Sequence, residues 1–256
     1  LVTSTDMHDK TSAKLATAIR VDDFLWEDAL ASTKAIAAFS GVNIPEPSAE
    51  FLAQINDLEG TVSAQFLTEG AVRDKLLFMI DNLEKEDSLD VTTYHLSDRK
   101  VVKAIKDAAD RRVDVRVLLD PNKKLYERDH NGLPNRAVAF ELRDHGGTID
   151  LRWCDTHGEI CQSNLVLIEE KGTYKLLMGS GNLTRRDIGG YNLNAHIYLE
   201  AKTPPQAIRD AQLHFNRSWE NQPNRIYSVG YSEYEDESYF KALLYRMMED
   251  LGTGHF

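Results

Sequence analysis

Between Leu89 and Glu220 short apolar runs of strand character alternate with stretches of helical periodicity. That alternation restricts the chain to an α/β layered architecture, a mixed sheet flanked by helices. Strands are predicted at Leu89–Leu96, Val113–Asp120, Ile149–Trp153, Leu165–Glu169, Tyr174–Met178 and Ala195–Leu199. Helices are predicted over Phe24–Phe39, Ala71–Leu83, Ser97–Arg111, Asn135–His145, Ala207–Glu220 and Tyr239–Leu251. Ser97 is the expected N-cap of its helix, and Pro121 to Pro134 reads as a polar loop. In the last helix Phe240, Leu243, Leu244 and Met247 form an apolar face expected to pack on the core.

A second constraint is an internal repeat. Leu1-Val2-Thr3-Ser4-Thr5-Asp6 matches Leu177-Met178-Gly179-Ser180-Gly181-Asn182, and Leu15–Ile19 matches Leu193–Ile197, at offsets of 176 and 178 residues. Both copies run on into an amphipathic helix, with Trp26 in one and Phe215 and Trp219 in the other. Leu1 has no signal-peptide character and reads like the inside of a strand, as though the first copy began part-way through. The expected organisation is the tail of a first unit over 1–44, a linker over 45–65, a complete unit over 66–225 and an extension with a helix over 226–256.

The formal net charge of −11 argues against a dedicated nucleic-acid binder, which needs clustered Lys and Arg, although a local basic pocket stays open. No apolar run approaches the length that spans a bilayer. Cys154 and Cys161, the two cysteines, are expected as reduced thiols near a strand end; a disulfide is the alternative. Zinc held by this pair with His157 lacks a fourth ligand, and no metal is expected.

The chemistry lies in Gly179-Ser180-Gly181-Asn182-Leu183-Thr184-Arg185-Arg186. Small residues at a strand end let backbone N–H groups approach an anion, and Ser and Asn add donors. Arg185-Arg186 could hold a phosphate or anionic headgroup, or form a solvated turn. Tyr94-His95 lies near a strand end and is expected to face the cleft, with His95 a hydrogen-bonded structural residue, and a further loop follows the strand that ends at Asp120.

With the strand that precedes it, this turn resembles the phospholipase D superfamily, where a Gly-Ser-x-Asn turn follows a strand carrying His-x-Lys-x4-Asp. The branch most similar is bacterial, cardiolipin-synthase-like. The resemblance implies a phosphodiesterase or phosphatidyltransferase acting on a phospholipid or other phosphodiester. In the family His is the nucleophile and forms a phosphohistidine, Lys stabilises the phosphate oxygens and the acid orients the imidazole. Two units face each other across the site, and neither cofactor nor metal is implied. Here Gln162, Asn164 and Glu169 occupy the His, Lys and Asp positions, four residues lying between Asn164 and Glu169. Gln cannot attack phosphorus, and Asn lacks the charge of Lys. Ser180, Asn182 and Arg185, with Ser4 and Asp6 of the first copy, are the expected phosphate-binding residues. His8-x-Lys10 follows its strand instead of preceding it and reads as a loop.

Three explanations of Gln162 and Asn164 stand, in this order: natural degeneracy, engineered replacement, or a different register with His157 or His196 in a role. The expected partner is a first phospholipase-D-like half carrying the working His and Lys. Rival readings are a non-catalytic phosphate- or lipid-binding module and, disfavoured by the charge, a nuclease. The resemblance leaves a cytoplasmic place or one peripheral to a membrane surface equally open.

Overall fold

The computed structural model describes residues 2–3, 14–16, 18–19, 25–48, 61–122, 124–125, 128–129, 131–145, 149–155, 160–252 and 254. In chain order the elements are β1 (Val2–Thr3), β2 (Lys14–Ala16), β3 (Ala18–Ile19), α1 (Trp26–Phe39), β4 (Ser63–Thr68), α2 (Gly70–Asp81) and β5 (Ser88–Thr93). Then come α3 (Arg99–Asp110), β6 (Asp114–Leu119), β7 (Lys124–Leu125), β8 (Arg128–Asp129), α4 (Asn135–Asp144), β9 (Ile149–Cys154) and β10 (Ile160–Gln162). The chain continues through β11 (Leu165–Glu170), β12 (Thr173–Gly179), α5 (Arg185–Ile188), β13 (Ala195–Ala201), α6 (Gln206–Glu220), β14 (Ser228–Gly230) and α7 (Tyr239–Leu251).

Eight strands form one mixed sheet in the order β14-β9-β6-β5-β11-β12-β13-β4. Its parallel centre, β5, β6 and β9, is built by the α3 and α4 crossovers, and β11 runs antiparallel to β5. The central strands are buried on both faces, which explains their near-continuous apolar runs. Val166 and Ile168 of β11 join α2, α3, α4 and α7 in one core. Leu165 and Leu167, pointing the other way, join Ile208 and Phe215 of α6 in a second. On α3, Val101, Val102 and Ile105 are fully buried. Each contributes about 1.5–3 kcal/mol relative to exposure, so this face fixes the helix to the sheet.

The short pair β1–β3 matches Val2 with Ile19 and Thr3 with Ala18. The corresponding strands β12 and β13 match Met178 with Ile197 and Gly179 with His196. These are the residue pairs that the two repeat offsets relate. β1 also lies beside β12 and β13, and β2 pairs in parallel with β10, setting Ala16 against Gln162.

Several sequence expectations need correction. The N-cap of α3 is Asp98, whose carboxylate accepts the N–H groups of Lys100 and Val101 at 2.9 and 3.1 Å, and not Ser97. Cys154 and Cys161 form a disulfide, not free thiols, because the ends of β9 and β10 bring their Cα atoms to 6.2 Å. The expected 45–65 linker runs into β4, which is the sheet's edge, and the 121–134 loop contains β7 and β8. The 226–256 segment supplies the opposite edge strand, β14. Strand β5 ends at Thr93, three residues early, because Tyr94 to Asp98 turn to meet the Gly179–Asn182 loop.

Helix α7 also turns differently from its apolar stripe. Phe240, Leu243 and Met247 are exposed while Ala242, Tyr245 and Glu249 are buried; of the expected face Leu244 alone packs, partly buried, against the core. Polar anchors set this rotation. The buried Glu141 of α4 takes hydrogen bonds from Arg99 at 2.8 and 3.1 Å, Lys106 at 2.9 Å, Arg246 at 3.1 Å and the Tyr245 hydroxyl. Burial alone would raise its pKa, but these donors outweigh it and hold the carboxyl below its ordinary range.

Candidate functional site

The candidate site gathers where β5 and β6 end, β11 begins and β12 ends. Asn164, 2% exposed, sits just before β11. Its Oδ1 accepts from Thr93 Oγ1 at 2.9 Å and from the Tyr94 N–H at 3.1 Å, and its Nδ2 donates to the Ser180 carbonyl at 3.3 Å. One amide therefore ties the end of β5 to the end of β12. Beside it, Leu183 donates its N–H to the His95 carbonyl, and its own carbonyl accepts the N–H groups of Ser97 and Asp98, all at 3.0 Å. The two loops are zipped together.

The turn after β12 has room only for glycine at its start. A Cβ on Gly179 would lie 2.2 Å from the Ala195 carbonyl. Ser180 donates its hydroxyl to Asn194 Oδ1 at 3.0 Å and accepts the Ala195 N–H at 3.2 Å. The Asn182 N–H donates to Asp187 at 3.0 Å, while its Oδ1 is buried without a hydrogen-bond partner. His196, 2% exposed, packs against this turn with Nε2 3.2 Å from the Gly181 carbonyl. A carbonyl only accepts, so Nε2 carries the proton and Nδ1 keeps its lone pair, which is buried and unpartnered. Burial, against the weaker pull of the Gly181 hydrogen bond, pushes its pKa down to about 4, so the ring is neutral.

On the β6 side, Asp120 accepts the Asn122 N–H at 2.7 Å and the Cys161 N–H at 3.1 Å. Burial pushes its carboxyl up to about 6 despite these bonds. Asn135, fully buried, donates to the carbonyls of Tyr94 at 2.7 Å and Asp120 at 2.8 Å and accepts the Leu96 N–H at 2.8 Å. Asn122 donates to the Tyr94 carbonyl at 3.2 Å from a positive-φ conformation that Asn tolerates. This buried network braces the Tyr94–His95 segment.

The structure brings together Asn164, Ser180 and Asn182, with Gln162 half-buried two residues before Asn164. It does not bring Glu169 with them. Glu169 is exposed and pairs with Ser88 and Tyr174 near the opposite end of β11. At 3.3 Å per residue, that is about 16 Å along the strand from Asn164. Arg185 is also drawn away. It donates to the carbonyls of Glu249 and Asp250 at 2.7 and 2.8 Å, satisfying the end of α7, where carbonyls lack intrahelical partners. Ser4, Asp6, His8, Lys10 and His157 lie outside the described residues.

Sequence reasoning missed Thr93, Asn135, Asn194 and His214. Ser163, between the two degenerate positions, sits 3.0 Å from Nε2 of His214 on α6. Nothing local marks these residues, since their partners are 14 to 71 positions away. Among the described residues no group of His, Cys, Asp and Glu could hold a metal ion.

Comparison with known proteins places this geometry. No curated protein matches. Among solved structures, NucT from Helicobacter pylori superposes with a TM-score of 0.50 at 17% identity, covering 66% of this chain and 99% of that one. This likeness shows the fold. Nuc from Salmonella typhimurium, a phospholipase D family member, gives 0.49 at 20% identity over 62% of this chain and 95% of the other. Phosphatidylserine synthase from Haemophilus influenzae gives 0.49 at 15% identity over 77% and 47%. The model of the family described as cardiolipin synthase, PLD-like domain, matches residues 79–219, more than half of the chain and all of the site from Thr93 to His214. The chain therefore belongs to that family, within the phospholipase D superfamily.

Proposed function

We propose that this chain supplies the nucleophile-free half of a two-unit phosphodiesterase or phosphatidyltransferase site. The observation that carries the reading is Asn164. At the position where the family places a phosphate-binding lysine, this side chain is buried and holds three internal hydrogen bonds. Gln162 has no titratable nitrogen to attack phosphorus, and Glu169, the acid expected with it, is remote. What the half offers is a rigid wall: the Gly179–Asn182 turn, locked to Tyr94–Asp98. A companion half would bring the imidazole and ammonium. The matched registers of β1–β3 and β12–β13 support descent from a duplicated unit, and the approach of β1 to β12 supports two halves meeting at these strand ends.

The test is cleavage of bis(p-nitrophenyl) phosphate by the chain alone, with covalent phosphoenzyme sought by mass spectrometry. The expected result is neither turnover nor adduct. A folded Gln162→His/Asn164→Lys variant is expected to gain an adduct at position 162. Turnover by the unaltered chain that disappears with His95→Gln or His196→Gln would overturn the reading and place the nucleophile there.

A further inference from the structure

A second cleft, of about 320 Å³, opens on the helical side of the sheet. It lies between α2, the first turn of α3, α5 and the end of α7, and is lined by Arg73, Asp98, Arg99, Lys100, Arg185 and Glu249 among others. Most of these charges are already matched. Arg99 is held by Glu141, and Arg185 by the carbonyls of Glu249 and Asp250. The Glu249 carboxylate takes the Ser97 hydroxyl on one oxygen and the Arg185 N–H at 3.3 Å on the other. Asp98 Oδ1 is committed to the backbone of α3.

Arg73 is the exception. Its side chain is only 21% exposed, and its charged contact among the described residues is Asp98 Oδ2 at 3.7 Å, beyond hydrogen-bond reach. Its Nε is closed off from solvent and has no hydrogen-bond partner among the described residues. The part-exposed guanidinium lines the cleft, and the planar end of such a group fits two oxygens of a tetrahedral oxyanion. Lys100, exposed at the rim, adds a second cation.

We propose that this cleft is a phosphate-binding site, with the Arg73 fork and the Lys100 ammonium as its ligands. It is distinct from the Asn164–Ser180 site and does not depend on the function proposed for it. The ligand chemistry is a phosphate group, offered either as free inorganic phosphate or as a phosphorylated headgroup in a bilayer.

Isothermal titration with inorganic phosphate at constant ionic strength, and sedimentation with phosphatidylcholine vesicles containing phosphatidylglycerol, provide the test. Saturable binding near 1 mM is expected for phosphate, weakened about tenfold or more by Arg73→Gln/Lys100→Ala. Lys100→Ala alone, at an exposed position, and Arg73→Lys, which keeps the charge and loses the fork, are expected to give intermediate losses. Arg209→Ala, an exposed cation on α6, is expected to leave binding unchanged. Arg73-dependent phosphate binding without vesicle binding identifies free phosphate. Arg73-dependent vesicle binding identifies the headgroup. Binding of neither probe, or binding equally strong in folded Arg73→Gln, overturns the proposal.

Discussion

Replacing Asn164 by alanine removes one acceptor and one donor from a site closed to water. Thr93 keeps an alternative, since its hydroxyl also reaches the His95 carbonyl at 3.1 Å. The Tyr94 N–H and the Ser180 carbonyl each lose the hydrogen bond that Asn164 supplies. At about 1–3 kcal/mol each, tempered by the long 3.3 Å bond to Ser180, the loss should be about 2–5 kcal/mol. For a chain of this size that lowers Tm by roughly 5–15 °C. Asn164→Lys should cost more, because it also introduces an ammonium into a position that is 2% exposed. The assay is urea unfolding of both variants, paired with hydrogen exchange at the Tyr94 amide, which should lose protection selectively. A loss below about 1 kcal/mol for Asn164→Ala, with the Tyr94 amide still protected, would refute the staple and with it the argument that this position is structurally committed.

Glu141→Ala should unlatch α7 by stripping the shared partner of Arg99, Lys106, Arg246 and Tyr245; a loss of about 3–5 kcal/mol and early proteolysis after residue 238 are the expected readouts. Asp120, with a folded pKa of about 6 against 3.8 unfolded, binds its proton more readily in the native state. Stability should therefore fall as pH rises from about 4 through 6, by about 2.4 kcal/mol between pH 4 and 7 from this group; Asp120→Asn should flatten that stretch of a pH series of unfolding free energies. Replacing Cys154 and Cys161 by alanine should cost about 2.5 kcal/mol by freeing an eight-residue loop in the unfolded chain, measured as a lower urea midpoint.

Elements were readable where side-chain periodicity decides them. Helix α3 buries every position that its apolar spacing marks, and β11 divides Leu165 and Leu167 from Val166 and Ile168 between two cores. The Gly179–Asn182 turn was readable because only glycine fits beside Ala195. What failed depended on distant partners. The stripe on α7 named the wrong face because Glu141, more than a hundred positions earlier, sets the rotation through Tyr245 and Arg246. The spacing that links Asn164 to Glu169 says nothing of strand direction, and it took the extended course of β11 to separate them. The disulfide escaped because a single pair of cysteines carries no geometry until β9 and β10 place it.

The pairing of β10 with β2 has a kinetic side. These strands are almost 150 positions apart, whereas β5, β6 and β9 pair in sequence order through the α3 and α4 crossovers. Closing so long a loop carries an entropic cost that adjacent strands and helices do not meet. The parallel centre β5–β6–β9 is therefore expected to assemble first, leaving the Gln162 strand without its neighbour until residues 14–16 arrive. Pulse-labelled exchange during refolding should find the amides of β5 and β6 protected ahead of those of β10. In the two-half site proposed above, a strand that pairs last is the one whose open edge a companion half could take up.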